Sequence, residues 1–171
     1  MKDELAKLFY DSGAIDIEKG ILNIELTKFL NNPHWIRELG GYISRELDDY
    51  AIDCISATSD ALPHATHCAA NLDFPIQWVR ESKTNPLPPD IKRTILLTSL
   101  TPPEEEIKTY IKLIESSGIE VVGIYSILGL KSSGSSVRML SLIELIELLE
   151  IYQNLYLIDE EICRQLIASL S

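Results

Sequence analysis

Basic residues are scarce in this sequence: 15 lysines and arginines stand against 26 aspartates and glutamates, which gives a net charge of −11. A nucleic-acid groove needs lysine and arginine to meet the phosphates. Docking on an anionic membrane has the same requirement. The composition therefore argues against both functions.

Cysteines and long apolar runs are also few. Cys54, Cys68 and Cys163 form an odd, scattered set, typical of free thiols in a reducing compartment. The first thirteen residues, MKDELAKLFYDSG, carry acidic side chains and no uninterrupted apolar run, unlike a signal peptide or a membrane span. We therefore expect a soluble cytoplasmic protein, and 171 residues suit one domain with a single core.

Glycine is missing from a junction where a phosphate-binding protein often needs it. Residues 95–106, ILLTSLTPPEEE, have the pattern of a buried strand, a turn and a helix start. A phosphate cradle needs converging backbone N–H groups and a closely approaching backbone. Pro102 and Pro103 have no N–H to donate, and residues 104–106 place three carboxylates in the first helical turn, where each gains roughly 0.3–1 kcal/mol from the helix dipole. The pattern predicts a well-capped helix start and no phosphate cradle.

Strand and helix patterns alternate through the middle of the chain, which predicts an α/β fold with a mainly parallel sheet. Helices are predicted for residues 3–12, 33–47, 62–72 and 104–117, for a segment that ends near residue 152, and for residues 160–167. One or two short strands are predicted within residues 15–26 around Gly20, and further strands at 52–57, 75–79, 95–99, 119–128 and 139–142. Asn32 and Pro33 are typical of a helix start, and Ser141 with Glu144 has the form of a capping box. Residues 80–92 are predicted to form a loop, and KSSGSS at 131–136 a flexible connector.

The order of these segments resembles the orotate phosphoribosyltransferases, a family of type I phosphoribosyltransferases. The likeness rests on LAKLFYDSGAIDI, NNPHWIRELGGYISREL, SATSDALPHATHCAANLDFPIQWVRESK, RTILLTSLTPPEEEIKTYIKLIESSGIEVVGIYSIL and LSLIELIELL. The resemblance implies a mainly parallel central sheet flanked by helices in a single domain, residues 1–171. Within it, residues 1–30 would form a small N-terminal hood, 33–129 the α/β core and 138–171 the C-terminal helices. It also implies a homodimer.

Measured against that family, the phosphoribosyl-pyrophosphate motif is degenerate in this chain. Thr98 and Ser99 stand where the family has two acidic residues that hold the ribose hydroxyls. The family binds the 5′-phosphate with a loop rich in threonine and glycine. In this chain the loop consists of Thr101, Pro102, Pro103 and Glu104. In the pyrophosphate loop, formed by Thr58, Ser59, Asp60 and Ala61, the last two replace paired glycines. We therefore expect no catalytic residues.

Two further motifs of the family, the lysine-bearing motif before the second helix and the catalytic loop, are shortened in this chain. Lys19 to Asn23 is too short for the lysine-bearing phrase that precedes the second helix and lacks its serine and proline. Arg80 and Lys83 survive from the entry to the catalytic loop as candidate anion contacts, whereas residues 84–90 are short, proline-stiffened and without histidine. Phosphoribosyl pyrophosphate carries several negative charges that need such cations and Mg²⁺.

The leading hypothesis is therefore a non-catalytic phosphoribosyltransferase-fold protein with a binding, regulatory or assembly role and no cofactor. The alternative is a divergent orotate phosphoribosyltransferase of pyrimidine synthesis, which would need Mg²⁺. A third hypothesis is binding of a nucleobase or nucleotide without turnover, through Arg80, Lys83 and a hydroxyl cluster at the sheet edge (Thr58, Ser59, Thr98, Ser99 and Thr101). Such hydroxyls suit a neutral polar ligand, and they also commonly cap turns.

The histidines carry no strong metal signal. His64 and His67 have a spacing that could place both imidazoles on one helix face, but a zinc site needs three or four ligands. His64 follows Pro63 at a helix start, where an exposed or capping side chain is expected. We therefore predict no metal site.

Overall fold

A computed structural model describes residues 2–80, 83–130 and 137–170. The helices are α1 Lys2–Ser12, α2 Pro33–Leu47, α3 Leu62–Leu72, α4 Glu104–Glu115, α5 Leu145–Asn154 and α6 Glu160–Leu170, with a 3₁₀ helix at Leu26–Asn31. The strands are β1 Ile15–Glu18, β2 Ile21–Ile24, β3 Cys54–Thr58, β4 Ile76–Arg80, β5 Lys83–Thr84, β6 Arg93–Leu100, β7 Glu120–Gly129 and β8 Met139–Glu144. None of the described helices has the length and apolar character needed to cross a membrane.

The chain divides into two compact units. Residues 1–35 and 143–171 form one of them, here named the terminal unit, and residues 36–142 form the central unit. In the terminal unit, β1 and β2 make an antiparallel hairpin closed by two residues with positive φ, Lys19 (53°) and Gly20 (78°). Those angles suit the right-handed twist of a hairpin. Phe9 and Phe29 meet edge-to-face in its core, with ring centroids 5.0 Å apart.

A six-stranded sheet in the order β5-β4-β3-β6-β7-β8 organises the rest of the fold. The pairs β3–β4, β3–β6 and β6–β7 are parallel, which confirms the predicted mainly parallel α/β architecture. Helix α4 covers one face of the sheet through Ile107 and Ile114, which pack with Leu96 and Ile124. Residues 95–97 are all fully buried, as expected for a strand whose side chains alternate between two covered faces.

Several local predictions are confirmed. Helix α3 has the predicted bounds, and α1 ends before Gly13, whose φ is 67°. Asn32 caps α2, because its Oδ1 accepts the His34 N–H at 2.9 Å while Pro33 opens the helix. Of the one or two strands expected around Gly20, the structure has two, paired as a hairpin.

Three expectations need correction or cannot be assessed. Lys83–Thr84 pairs antiparallel with the end of β4, so the segment predicted as a loop at 80–92 includes the last residue of β4 and a short strand. Ser141 belongs to β8 and forms no capping box: α5 begins at Leu145 after Glu144, which makes no side-chain capping bond. Met139–Glu144 forms a strand of the six-stranded sheet, so Ser141 is extended backbone and not a helix N-cap. The connector predicted at 131–136 lies outside the described residues.

Candidate functional site

Six of the predicted loop residues of the central unit line one pocket: Thr58, Asp60, Thr98, Thr101, Pro102 and Pro103. Because β3 and β6 are parallel neighbours, their carboxyl ends lie at the same sheet edge, where α/β proteins commonly bind ligands. A pocket of about 350 Å³ opens there, here named the strand-end pocket. Its described lining residues are Thr58, Asp60, Thr98, Leu100, Thr101, Pro102, Pro103, Glu106, Tyr110 and Leu130.

The hydroxyls of this pocket already take part in hydrogen bonds of the fold. Thr98 Oγ1 lies 3.0 Å from Ser126 Oγ on the neighbouring strand. Thr58 Oγ1 donates to the Leu97 carbonyl at 3.4 Å, and Thr101 Oγ1 accepts the Leu130 N–H at 2.9 Å. The structure thus brings three members of the predicted hydroxyl cluster together, and their first role is to hold adjacent strands and turns.

The other predicted loop residues lie beside the pocket. Ser59 is exposed and Ser99 is 6% exposed, and neither is among the described lining residues. Ala61 is fully buried, and its N–H donates to the Thr58 carbonyl at 3.1 Å. Because this donor is engaged within the turn, Ala61 has no N–H left for a ligand phosphate.

The pocket is acidic. Asp60 and Glu106 contribute carboxylates, and the ten described lining residues include no lysine, arginine or histidine. Tyr110 Oη donates to Glu106 Oε2 at a long 3.5 Å. Burial, followed by the nearby charges of Glu106 and Asp60, raises the pKa of Tyr110. Both carboxylates therefore act on the same hydroxyl, and their field opposes an entering anion.

The start of α4 differs in one respect from the sequence expectation of a well-capped helix. Its N-cap is Pro103, with φ −58° and ψ 150°, and no side chain caps the free N–H groups. Lys108 Nζ instead lies 2.9 Å from Glu104 and 3.1 Å from Glu105. These bonds raise the pKa of Lys108. Lys108 thus pairs with the first two glutamates of the helix, and the third, Glu106, is the one that lines the pocket.

The two candidate anion contacts lie outside this pocket. Arg80 and Lys83 are paired across β4 and β5, and both are exposed. Neither is among the described residues that line the strand-end pocket. The structure thus brings the two cations together at the sheet edge without directing them at the pocket.

His64 was expected to be exposed or capping and is instead 2% exposed. Helix α3 packs so closely on α2 that its first turn is covered, and the His64 imidazole hydrogen-bonds to the backbone of Ile36. Burial lowers the pKa of His64 to about 4, although the Ile36 bond and Asp60 oppose the shift. Among the described residues, no group of three or more His, Cys, Asp and Glu side chains could hold a metal ion.

Sequence reasoning did not place Tyr110 or Leu130 in the site. The helical spacing of Tyr110 with Ile107, Ile111 and Ile114 predicts that it packs on the core, and it does so in part. Its separation of four residues from Glu106 puts both side chains on one helical face, which was the available signal. Leu130 follows the end of β7, and only the pairing of β6 with β7 reveals its position.

The fold is that of the type I phosphoribosyltransferases. Solved structures match nearly the whole chain: UMP synthase of Leishmania donovani superposes with a TM-score of 0.85 at 19% identity, over 98% of this chain and 42% of that protein. The chain thus spans less than half the length of that relative.

Within this class the similarity extends to the orotate phosphoribosyltransferases, as the sequence resemblance predicted. The enzyme of Aeropyrum pernix matches with a TM-score of 0.70 at 18% identity, over 89% of this chain and 99% of its own. An adenine phosphoribosyltransferase of Thermoanaerobacter pseudethanolicus matches with a TM-score of 0.62 at 18% identity, over 80% and 99%. No family model and no curated protein sequence matches the chain. Identities this low establish the fold alone.

Proposed function

We propose that this chain is a non-catalytic protein of phosphoribosyltransferase fold, whose strand-end pocket binds a neutral or cationic ligand in a binding or regulatory role. The observation that carries the proposal is the charge of the pocket. Two carboxylates, Asp60 and Glu106, line it with no described basic residue, whereas phosphoribosyl pyrophosphate would bring several negative charges.

The backbone supports the same conclusion. Pro102 and Pro103 line the pocket at the α4 end, where N–H groups would have to meet a phosphate, and proline has none. Thr98, proposed to replace a ribose-binding acid, is 2% exposed and engaged with Ser126. Phosphoribosyl pyrophosphate bound in this pocket would therefore lack both the cations and the N–H donors that its phosphate groups require.

A divergent orotate phosphoribosyltransferase is the second candidate. It is favoured by the similarity to UMP synthase and to orotate phosphoribosyltransferases over most of the chain. Such an enzyme would need Mg²⁺ with its substrate, and its cations would have to come from outside the strand-end pocket, with Arg80 and Lys83 the nearest candidates by motif. The homodimer implied by the resemblance stays a prediction, which sedimentation of the purified chain will test.

Calorimetric titration separates the two candidates. The full chain is titrated with phosphoribosyl pyrophosphate plus Mg²⁺ and then with orotate, beside an active orotate phosphoribosyltransferase as a positive control. The proposal expects no saturable heat at millimolar ligand and no loss of orotate absorbance when both substrates are mixed. Micromolar binding with turnover would establish the enzyme and overturn the non-catalytic proposal, and binding without turnover would overturn the charge argument.

A further inference from the structure

The hairpin of the terminal unit has one strand, β2, whose outer side makes no hydrogen bonds. Bonded and non-bonded residue pairs alternate along an antiparallel ladder. The Glu25 N–H donates to the Ala14 carbonyl at 2.8 Å, which makes these two residues a bonded pair. Counting back along the register, the peptide groups of Ile24 and Leu22 therefore point away from β1. The sheet has only these two strands, and no described residue is hydrogen-bonded to those groups from outside the hairpin.

Nothing in the sequence of β2 prevents this side from pairing with another strand. Natural edge strands commonly carry a lysine, a proline or an inward-pointing charge that blocks such pairing. The strand β2 reads ILNI, without a charge or a proline, and its Ile21 is 64% exposed. Asn23, on the same face, is exposed as well. The other side of the hairpin differs, because Ile15 on β1 is only 2% exposed. We name Ile21–Ile24, with its outward peptide groups, the β2 edge.

Charges of opposite sign stand at the two ends of the β2 edge. Lys19, in the turn before the strand, is exposed, and Glu25 follows the strand with a side chain that is 61% exposed. Glu25 Oε2 lies 3.6 Å from Lys28 Nζ, a loose pairing that leaves the carboxylate able to bind a second cation. A second copy of β2 that runs antiparallel to the first presents its charges in reverse order. Each charge would therefore meet its opposite, whereas parallel copies would set like charges together.

From these features we propose that two copies of this chain pair through their β2 edges, antiparallel about a twofold axis at Leu22. The outward peptide groups of Leu22 bond to those of Leu22 in the second copy. Lys19 of each copy then stands opposite Glu25 of the other, and Ile21 lies diagonally across from its counterpart. Sliding the copies by two residues would set Ile21 against Glu25 and lose the match of charges. The two hairpins thus form one four-stranded sheet that covers Ile21.

Amide hydrogen exchange followed by NMR reads the β2 edge directly. Each copy contributes only a short strand, so the association should be weak, with a dissociation constant on the order of 100 µM. In the full chain at about 10 µM, the Leu22 and Ile24 amides should exchange as open groups, and at about 1 mM they should be protected several-fold. The Asn23 amide bonds to β1 and should be protected at both concentrations, which makes it the internal control for folding.

Charge reversal tests the register. Lys19→Glu and Glu25→Lys each set like charges against each other at two places in the pair, so each should weaken association about tenfold at low ionic strength. The double variant exchanges the two charges and should restore association to within about twofold of the unchanged chain. Glu115→Lys, at an exposed position of α4 in the central unit, is the matched control. It changes the net charge as much as Glu25→Lys does, yet it should change the protection of Leu22 less than about twofold.

The concentration series on the unchanged chain decides the proposal even if a variant fails to fold. Leu22 and Ile24 amides that stay open at the higher concentration would overturn it, including the case in which sedimentation detects a dimer that uses another surface. Protection that is independent of concentration would also overturn it, because the edge would then be covered within one copy. A folded double variant as weak as the single ones, or an equal effect of Glu115→Lys, would overturn the pairing of Lys19 with Glu25.

Discussion

Gly40 of α2 lies directly against His67 of α3: a Cβ placed on Gly40 would come within 2.8 Å of the His67 Cβ and 3.3 Å of the His64 carbonyl oxygen. Only glycine fits at this distance. The atoms that a Gly40 Cβ would meet belong to the backbone of α3 or are bonded to it, so they cannot move away independently. Gly40→Ala should therefore force the two helices apart and lower the free energy of unfolding by roughly 1–3 kcal/mol. Urea denaturation of the two proteins measures the difference.

Gly41 is the matched control for that substitution. A Cβ at this position would meet nothing within 4 Å. Gly41→Ala should leave stability unchanged or raise it by up to about 1 kcal/mol, because alanine loses less conformational freedom than glycine in a helix. Equal destabilisation by both alanines would show that helix geometry at large, and not the His67 contact, restricts these positions.

The stability of the fold should fall in mild acid because of His64. Its pKa in the folded chain is about 4, below the usual 6.5, so the unfolded chain takes up a proton first as the pH falls. The stability associated with the neutral imidazole is complete above about pH 6.5 and is lost as the pH falls towards 4. The loss should reach about 2 kcal/mol by pH 5. Urea denaturation at pH 7 and pH 5 measures it.

His64→Gln supplies the comparison, since glutamine has similar size and polarity but does not titrate. Carboxylates of the chain contribute in both proteins, so the informative quantity is the difference between the two pH slopes. The variant should be less stable at pH 7 but lose about 2 kcal/mol less between pH 7 and pH 5. Parallel slopes would contradict the assignment of a buried, neutral His64.

Thr98 and Ser126 should behave as a coupled pair. Their hydroxyls lie 3.0 Å apart between β6 and β7, where the residues are 2% and 0% exposed. Ser126→Ala removes one partner and should cost roughly 1–3 kcal/mol, because the Thr98 hydroxyl is left unsatisfied. The double variant Thr98→Val and Ser126→Ala should cost less than the sum of the single changes. Strict additivity in a double-mutant cycle would show that the hydroxyls do not depend on each other.

The sequence predicted most of this fold because the main signals are local. Apolar residues at helical spacing or in strand-like runs located most of the helices and strands, and Gly13 and Gly118 marked the ends of two helices. The errors lie where contacts between distant parts of the chain determine the secondary structure or the burial of a residue. Ser141 is drawn into β8 by pairing at the sheet edge, and His64 is covered because Gly40 allows α2 to approach α3.

The candidate site was partly predictable for the same reason. The ends of β3 and β6 follow from a parallel sheet, so Thr58, Asp60 and Thr98 were expected at one edge. Tyr110 was not expected to line the pocket. Helical spacing predicts that a residue packs on the core, but it does not show whether the same residue also borders a pocket. The position of Leu130 depends on long-range strand pairing that no local pattern contains.

The carboxylates of the strand-end pocket should be what prevents phosphate binding there. Asp60→Asn and Glu106→Gln each remove one negative charge from the lining while keeping the shape of the side chain. Each charge opposes a phosphate dianion by roughly 1 kcal/mol at a partly exposed site, so each substitution should strengthen phosphate binding about fivefold. Titration with inorganic phosphate at low ionic strength, followed by amide NMR at Thr98 and Thr101, measures the gain.

Glu104→Gln is the matched control for this charge effect. Glu104 lies on the same helical turn but outside the described lining, and its carboxylate is paired with Lys108 at 2.9 Å. Removing it changes the net charge of the protein as much as Glu106→Gln does, yet phosphate affinity at the pocket should change less than twofold. If all three variants gained equally, the net charge of −11 would account for the exclusion of anions. A lack of gain in any of them would leave the two prolines, which remove N–H donors, as the cause.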